Sequence, residues 1–209
     1  MNRVGITQRL VREEKHGEIR DSLDLRWQEL LSSIDLISIP IPSNVDMSVY
    51  DSLDLNGIIL TGGNDLSSQS ENLLSKLRDK HENICIKYAI ENSIPLLGVC
   101  RGMQLIAEYF ESTLKKVNGH IAKRHKFISI NEHAYKKYFN KIDNVNSFHT
   151  YAIDILGDDL NAVGICPDDN VIEAIVHKKY KIFGQMWHPE REKPFDSNNC
   201  RIISSFFNA

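Results

Sequence analysis

An α/β fold is what the amino-acid sequence predicts: an open, mostly parallel central sheet flanked by helices, with a β-rich C-terminal part. Three observations lead there. Short apolar runs at residues 4–7, 36–39, 57–60 and 94–99 alternate with longer segments of helical periodicity, the order that lays strands side by side in parallel with helices as crossovers. The run Leu96-Leu-Gly-Val99 has no charged or polar side chain, as a strand covered on both faces requires. After residue 160 the alternation stops, and three strand-like runs at 162–165, 171–176 and 181–187 follow one another through turns.

In chain order, the first strand (4–7) leads into a charged, polar loop over 9–21. Trp27, Leu30, Leu31 and Ile34 recur at helical spacing, which makes 23–34 a helix. A second strand (36–39) stops at the Pro40 and Pro42 pair. The third (57–60) ends in Thr61-Gly-Gly-Asn-Asp65, at the carboxyl end of a central strand, where open α/β sheets bind ligands. A Gly-Gly pair also marks many ordinary turns, so both readings stand there. Residues 70–92 form a long helix with room for a break, and its Arg78-Asp-Lys-His-Glu82 stretch reads most simply as a solvated face. Between 114 and 146 the pattern is less regular, with a strand at 126–130 and three histidines, His120, His125 and His133. No carboxylate or cysteine cluster accompanies them in sequence, so no metal is expected there. A short helix over 199–207 closes the chain.

Length and composition narrow the function. A chain of 209 residues, 42% hydrophobic, suits one globular domain over residues 1–209 with a sizeable core. A net charge of −3 with both signs interspersed leaves no basic footprint for nucleic acid. No apolar run approaches membrane-spanning length and no leader is visible, so a cytoplasmic location is expected. Cys85, Cys100, Cys166 and Cys200 are far apart and form no CxxC pair, which argues against a zinc knuckle or a disulfide scaffold.

The chemistry centres on Gly98-Val-Cys-Arg-Gly-Met-Gln104. Gly98 and Gly102 flank Cys100 two residues away on either side, the spacing of a nucleophile elbow, where strand turns sharply into helix. A helix N-terminus favours an anion, which lowers a thiol pKa, and the Arg101 amide there points at any oxyanion that forms. Buried cysteines are also common as inert small hydrophobes, and this spacing by itself does not separate the two readings. The strand ending at 187 delivers His188-Pro-Glu190; in an extended chain, residues two apart share a side, so imidazole and carboxylate face one place. Together these are the parts of an activated nucleophile, a base and its orienting acid.

Taken together, the elbow and His188-Pro-Glu190 resemble the class I glutamine amidotransferase superfamily, with its flavodoxin-like fold and Cys-His-Glu triad. Leu60-Thr-Gly-Gly-Asn-Asp65, Arg78-Asp79 with Glu82, and Val145-Asn-Ser-Phe-His149 narrow the likeness to free-standing γ-glutamyl hydrolases of the peptidase C26 type. The resemblance implies Cys100 as nucleophile, His188 as base and Glu190 as orienting acid, with the Gly63 and Arg101 amides as oxyanion donors. It implies that Gln104 and the Ser147-Phe148-His149 segment hold the glutamyl part of a small-molecule γ-glutamyl substrate, without metal or organic cofactor. The motif continues with Thr150-Tyr151 where many relatives have His and Gln, and Leu-Ser-Ser-Gln follows Asp65 in place of a proline-containing loop, which leaves the amine released open. Lys123, Arg124 and Lys126 either meet a phosphate or form a solvated basic turn. A glutaminase subunit feeding ammonia to a synthase, and a catalytically silent binding protein, are the competing readings.

Overall fold

In the computed structural model, which describes residues 1–208, an eight-stranded sheet runs through the molecule. Strand β1 (Asn2–Thr7) is followed by a hairpin of β2 (Arg9–Arg12) and β3 (Ile19–Ser22), then by α1 (Leu25–Ser33) and β4 (Leu36–Ile41). Next come β5 (Gly57–Leu60), α2 (Leu73–Glu91), β6 (Leu96–Val99) and α3 (Arg101–Tyr109). The middle of the chain holds β7 (Thr113–Lys116), β8 (Ile121–Lys126), β9 (Ile128–Ser129), the single turn α4 (Lys136–Phe139), β10 (Asn144–Phe148) and β11 (Tyr151–Ile155). Strands β12 (Leu160–Ile165), β13 (Ile172–His177) and β14 (Ile182–Gln185) lead to α5 (Ser197–Asn208).

The sheet order is β4-β1-β5-β6-β14-β13-β12-β9. Its first five strands are parallel to their neighbours, and the last three are added antiparallel. The expected β-rich C-terminal part is therefore an extension of the same sheet. Every residue of β5, β6 and β14 is buried, which is why their sequences are apolar but for Gln185 at the end of β14. Successive residues divide between two cores: Ile59, Leu97 and Phe183 pack with Trp27 and Leu30 of α1 and Phe206 of α5, whereas Ile58, Leu96 and Ile182 pack with Ile86 of α2 and Ile106 of α3. Helices thus cover the sheet in two layers. Side chains set their starts: the Asp24 carboxylate accepts from the Arg26 amide at 2.9 Å, and the Asn72 side chain from the Leu74 amide at 2.8 Å.

Four expectations need correction. Residues 9–21 are largely a β-hairpin, invisible to a hydrophobic pattern because its outward faces are charged. Strand β4 runs through Pro40 to Ile41; it is an edge strand bonded only to β1, where proline is tolerated. Helix α2 is unbroken. Its Arg78, Asp79, His81 and Glu82 are buried, so that stretch is no solvated face. No helix among the described residues is long and apolar enough to cross a membrane.

Candidate active site

Strand β6 and helix α3 meet at Cys100, which has φ 53° and ψ −107°. A non-glycine residue held at positive φ is strained, and such strain persists only where the surroundings over-determine it. Here the cause is close packing on both sides of the corner. A Cβ on Gly98 would lie 2.6 Å from the Gly102 carbonyl carbon, and one on Gly102 would lie 2.1 Å from the Leu60 carbonyl oxygen. Glycine at both positions lets the first turn of α3 press against β5 and β6. The Cys100 amide donates to the Gln185 carbonyl of β14 at 2.8 Å, fixing the corner beside the strand that leads to His188.

His188 follows β14 by three residues. Trp187 is anchored by its indole N–H, which donates to Asn199 Oδ1 at 2.9 Å, and the Asn146 side chain grips the His188 backbone. Its Oδ1 accepts from the His188 amide at 2.9 Å, and its Nδ2 donates to the His188 carbonyl at 2.8 Å. His188 Nδ1 lies 2.6 Å from Glu190 Oε1. The two side chains meet because Pro189–Arg191 is a 3-10 turn, not because the chain stays extended as the two-residue spacing suggested. Burial opposes protonation of His188, yet the nearby Cys100 sulfur and the Glu190 carboxylate outweigh it and push its pKa up to about 9.

Gly62, which the sequence did not single out, shapes the third side. A Cβ there would fall 2.7 Å from His188 Cε1 and 3.6 Å from Cys100 Cβ. Gly62→Ala should displace the imidazole and lower kcat/KM on the order of 100-fold. Steady-state kinetics beside a thermal melt would check this; unchanged kcat/KM would show that the ring has room to spare.

Beneath the elbow lies a buried charge network. Glu82 Oε1 accepts from the Thr7 hydroxyl at 2.6 Å and from Arg78 Nε at 3.0 Å, while Arg101 reaches Glu82 Oε2 and Asp79 Oδ1. Arg78 donates to the Thr61 carbonyl at 2.7 Å and to the Gly62 carbonyl at 2.9 Å. Burial would push Glu82 up, but Arg101 and Arg78 outweigh it and hold the carboxyl below its ordinary range. Arg101 follows Cys100, and Arg78 grips the 61–62 loop, so the network ties α3 to the end of β5. Gly63, at φ 117°, follows directly, with Arg9 Cβ and Arg78 Nη1 too close for a side chain.

The other expected site residues are placed less simply. Gln104 is buried, and its Nε2 donates to the Tyr151 carbonyl at 2.8 Å. The Ser147 hydroxyl donates to the His120 carbonyl at 2.8 Å, and His149 Nδ1 faces the Tyr151 carbonyl, so both side chains turn inward. Phe148 is exposed and makes a T-shaped contact with His188, ring centroids 5.8 Å apart, and the Arg191 guanidinium lies over its ring. A cleft bordered by Arg9, Gly62, Gly63, His188, Glu190 and Arg191 leads to the His188 imidazole, so the unforeseen hairpin forms one wall. Lys123, Arg124 and Lys126 lie on exposed strand β8 rather than a turn, and Arg124 is paired with Glu192 at 2.7 Å. The ground for expecting no metal also changes: Glu173 of β13 joins His120, His125 and His149, while His133 lies elsewhere, bonded to Ser129.

Over residues 3–190 the chain matches the family model of peptidase C26. The chain belongs to the peptidase C26 family. This peptidase C26 protein is 43% identical to the gamma-glutamyl-CDP-amidate hydrolase of Campylobacter jejuni, over 98% of this chain and 96% of that protein. It is 26% identical to anthranilate synthase component 2 of Thermococcus kodakarensis, over 82% of this chain and 83% of the other. A glutamine amidotransferase from Thermotoga maritima has the same fold, with a TM-score of 0.69 at 16% identity, covering 99% of this C26 chain and 84% of its own.

Proposed function

We propose that this protein hydrolyses the γ-glutamyl amide bond of a small molecule, γ-glutamyl-CDP-amidate being the substrate, and releases glutamate through a thioester on Cys100. The observation that carries the chemistry is the meeting of the strained Cys100 corner with His188, itself held by Glu190 at 2.6 Å. The substrate rests on the full-length likeness to the Campylobacter jejuni hydrolase. Two guanidinium groups at the cleft mouth, Arg9 and Arg191, suit an anionic substrate.

The reaction runs in two halves. The Cys100 thiolate attacks the γ-carbonyl carbon, and the Gly63 and Arg101 amides donate to the oxyanion of the tetrahedral intermediate. His188 protonates the departing nitrogen as the C–N bond breaks, leaving the γ-glutamyl thioester. His188 then takes a proton from water as it attacks the thioester, glutamate leaves, and the thiolate returns. Gln104 and the backbone of the 147–149 segment position the glutamyl group, with Phe148 closing the side nearest His188. None of the four cysteines is in a disulfide, in keeping with a reducing cytoplasm.

Because Cys100 and Glu190 raise His188, the protonated imidazole that serves as acid is lost only as pH rises through about 9. Glu190→Gln removes one of these raising groups, so the alkaline limb of kcat/KM should move to lower pH while activity falls less than on loss of Cys100. A pH–rate profile of the variant checks the sign; an alkaline limb that stays in place would remove Glu190 from this role. The reading as a whole is tested by glutamate release from γ-glutamyl-CDP-amidate, several γ-glutamyl amines and glutamine. Cys100-dependent release from the nucleotide with glutamine nearly inert is expected. Silence on every γ-glutamyl amide would instead favour a glutaminase that works only with a synthase partner.

A further inference from the structure

Beside the active-site wall, four side chains converge with no well-formed hydrogen bond between any two of them. His120 precedes β8, His125 lies on β8, His149 follows β10 and Glu173 sits on β13. Around Glu173 Oε1 stand His125 Nε2 at 3.4 Å, His149 Nε2 at 3.4 Å and His120 Nδ1 at 3.6 Å. Glu173 is fully buried, neither of its carboxylate oxygens has a well-formed hydrogen bond, and the same holds for the inward Nε2 of His125 and His149.

The outer nitrogens explain why. His120 Nε2 faces Asp169 Oδ2 at 2.8 Å, His125 Nδ1 faces the Lys126 carbonyl at 2.9 Å, and His149 Nδ1 faces the Tyr151 carbonyl at 3.1 Å. Carbonyl and carboxylate oxygens only accept, so each outer nitrogen carries the ring hydrogen and each inward nitrogen of a neutral ring presents a lone pair. Ser147 offers His120 Nδ1 no proton, because its hydroxyl donates to the His120 carbonyl. Three lone pairs and a carboxylate therefore face one another in a buried space, which is costly unless a cation lies between them.

We propose that His120, His125, His149 and Glu173 form a closed, four-coordinate site for a divalent transition metal of the zinc class. Bonds of about 2.1 Å from a tetrahedral ion put neighbouring ligand atoms about 3.4 Å apart, close to the three separations around Glu173. The four ligand atoms all lie within 4.8 Å of one another, so the longer separations close around the ion. Imidazole nitrogen and carboxylate oxygen suit zinc, and an outer partner on every histidine is the usual support for a metal-binding imidazole. The ion is structural: with four protein ligands it keeps no position for substrate, and it plays no part in the thioester chemistry. It cross-links β8, β13 and the end of β10, and so braces the segment whose Phe148 abuts His188.

The test loads the full-length protein with Zn²⁺, removes unbound metal by gel filtration and measures zinc by mass spectrometry. About one zinc per chain is expected in the wild type and in Cys100→Ser, and a large loss of it in Glu173→Gln and His125→Gln. Chelation should lower the wild-type melting temperature, and added zinc should restore it. Replacement by Co²⁺ should give tetrahedral d–d bands without a sulfur-to-cobalt charge-transfer band. Substoichiometric zinc in the wild type, equal zinc in the wild type and both site variants, or a thiolate band would each overturn the proposal. If a variant fails to fold, the wild-type stoichiometry and cobalt spectrum still decide. Protonated histidines in place of a metal would appear as zinc-free protein whose melting temperature ignores the chelator.

Discussion

Cys100→Ala is expected to abolish glutamate release, by more than about 10⁴-fold in kcat, while leaving the fold in place. The size follows from the chemistry: without sulfur there is no thioester route, and His188 is left with only water to activate. The fold survives because Cβ, the part of the side chain that packs at the corner, is retained, and Gly98 and Gly102 still allow the tight turn. The positive φ at residue 100 is a cost already carried by cysteine, and alanine carries a similar one. Activity and a melting curve measured on the same preparation check both halves. A variant that keeps its activity would remove Cys100 from the mechanism, and one that unfolds would show that the sulfur also holds the corner together.

Glu82→Gln is expected to have the largest effect on stability. Glu82 is fully buried and is the carboxylate shared by Arg78 and Arg101. With a neutral amide there, two buried guanidinium groups have only Asp79 as an acidic partner, and removing one member of such a network costs about 3–5 kcal/mol. For a chain of this size that is a fall in melting temperature on the order of 10 °C. Kinetics add a second readout. Arg101 follows Cys100, the proposed nucleophile, and Arg78 holds the loop before Gly63, so a loosened network should lower kcat more than it raises KM. A melting temperature within a degree or two of wild type would mean that the network contributes little to folding.

The proposed grouping of Cys100, His188 and Glu190 rests on signals that are local in sequence. The glycines around Cys100 encode a backbone geometry, and His188 and Glu190 are separated by one proline. Strands β5 and β6 were legible for the same reason, since burial on both faces leaves an unbroken apolar run. What the sequence concealed depends on partners far along the chain. Arg78 and Glu82 look like an exposed helical pair until Arg101 and Thr7 meet them inside the fold. The β2–β3 hairpin carries no apolar alternation because it packs little of itself away. Ser147 and His149 are in the motif that resemblance flagged, yet their side chains turn inward, and the position of an inward-turned side chain is a tertiary fact. Glu173 did leave a trace: a lone carboxylate inside the apolar run at 171–176, in a strand otherwise suited to burial, asks for a buried positive partner.

The two rims of the sheet have a bearing on the protein's life in a crowded solution. At one rim β4 contains a proline, which has no N–H to offer an incoming strand, and at the other β9 is only two residues long. Neither rim presents a long, regular row of unmet donors and acceptors. A neighbouring chain that collides edge-on finds little template to extend, so a sheet with a strongly apolar middle is kept from growing from one molecule into the next.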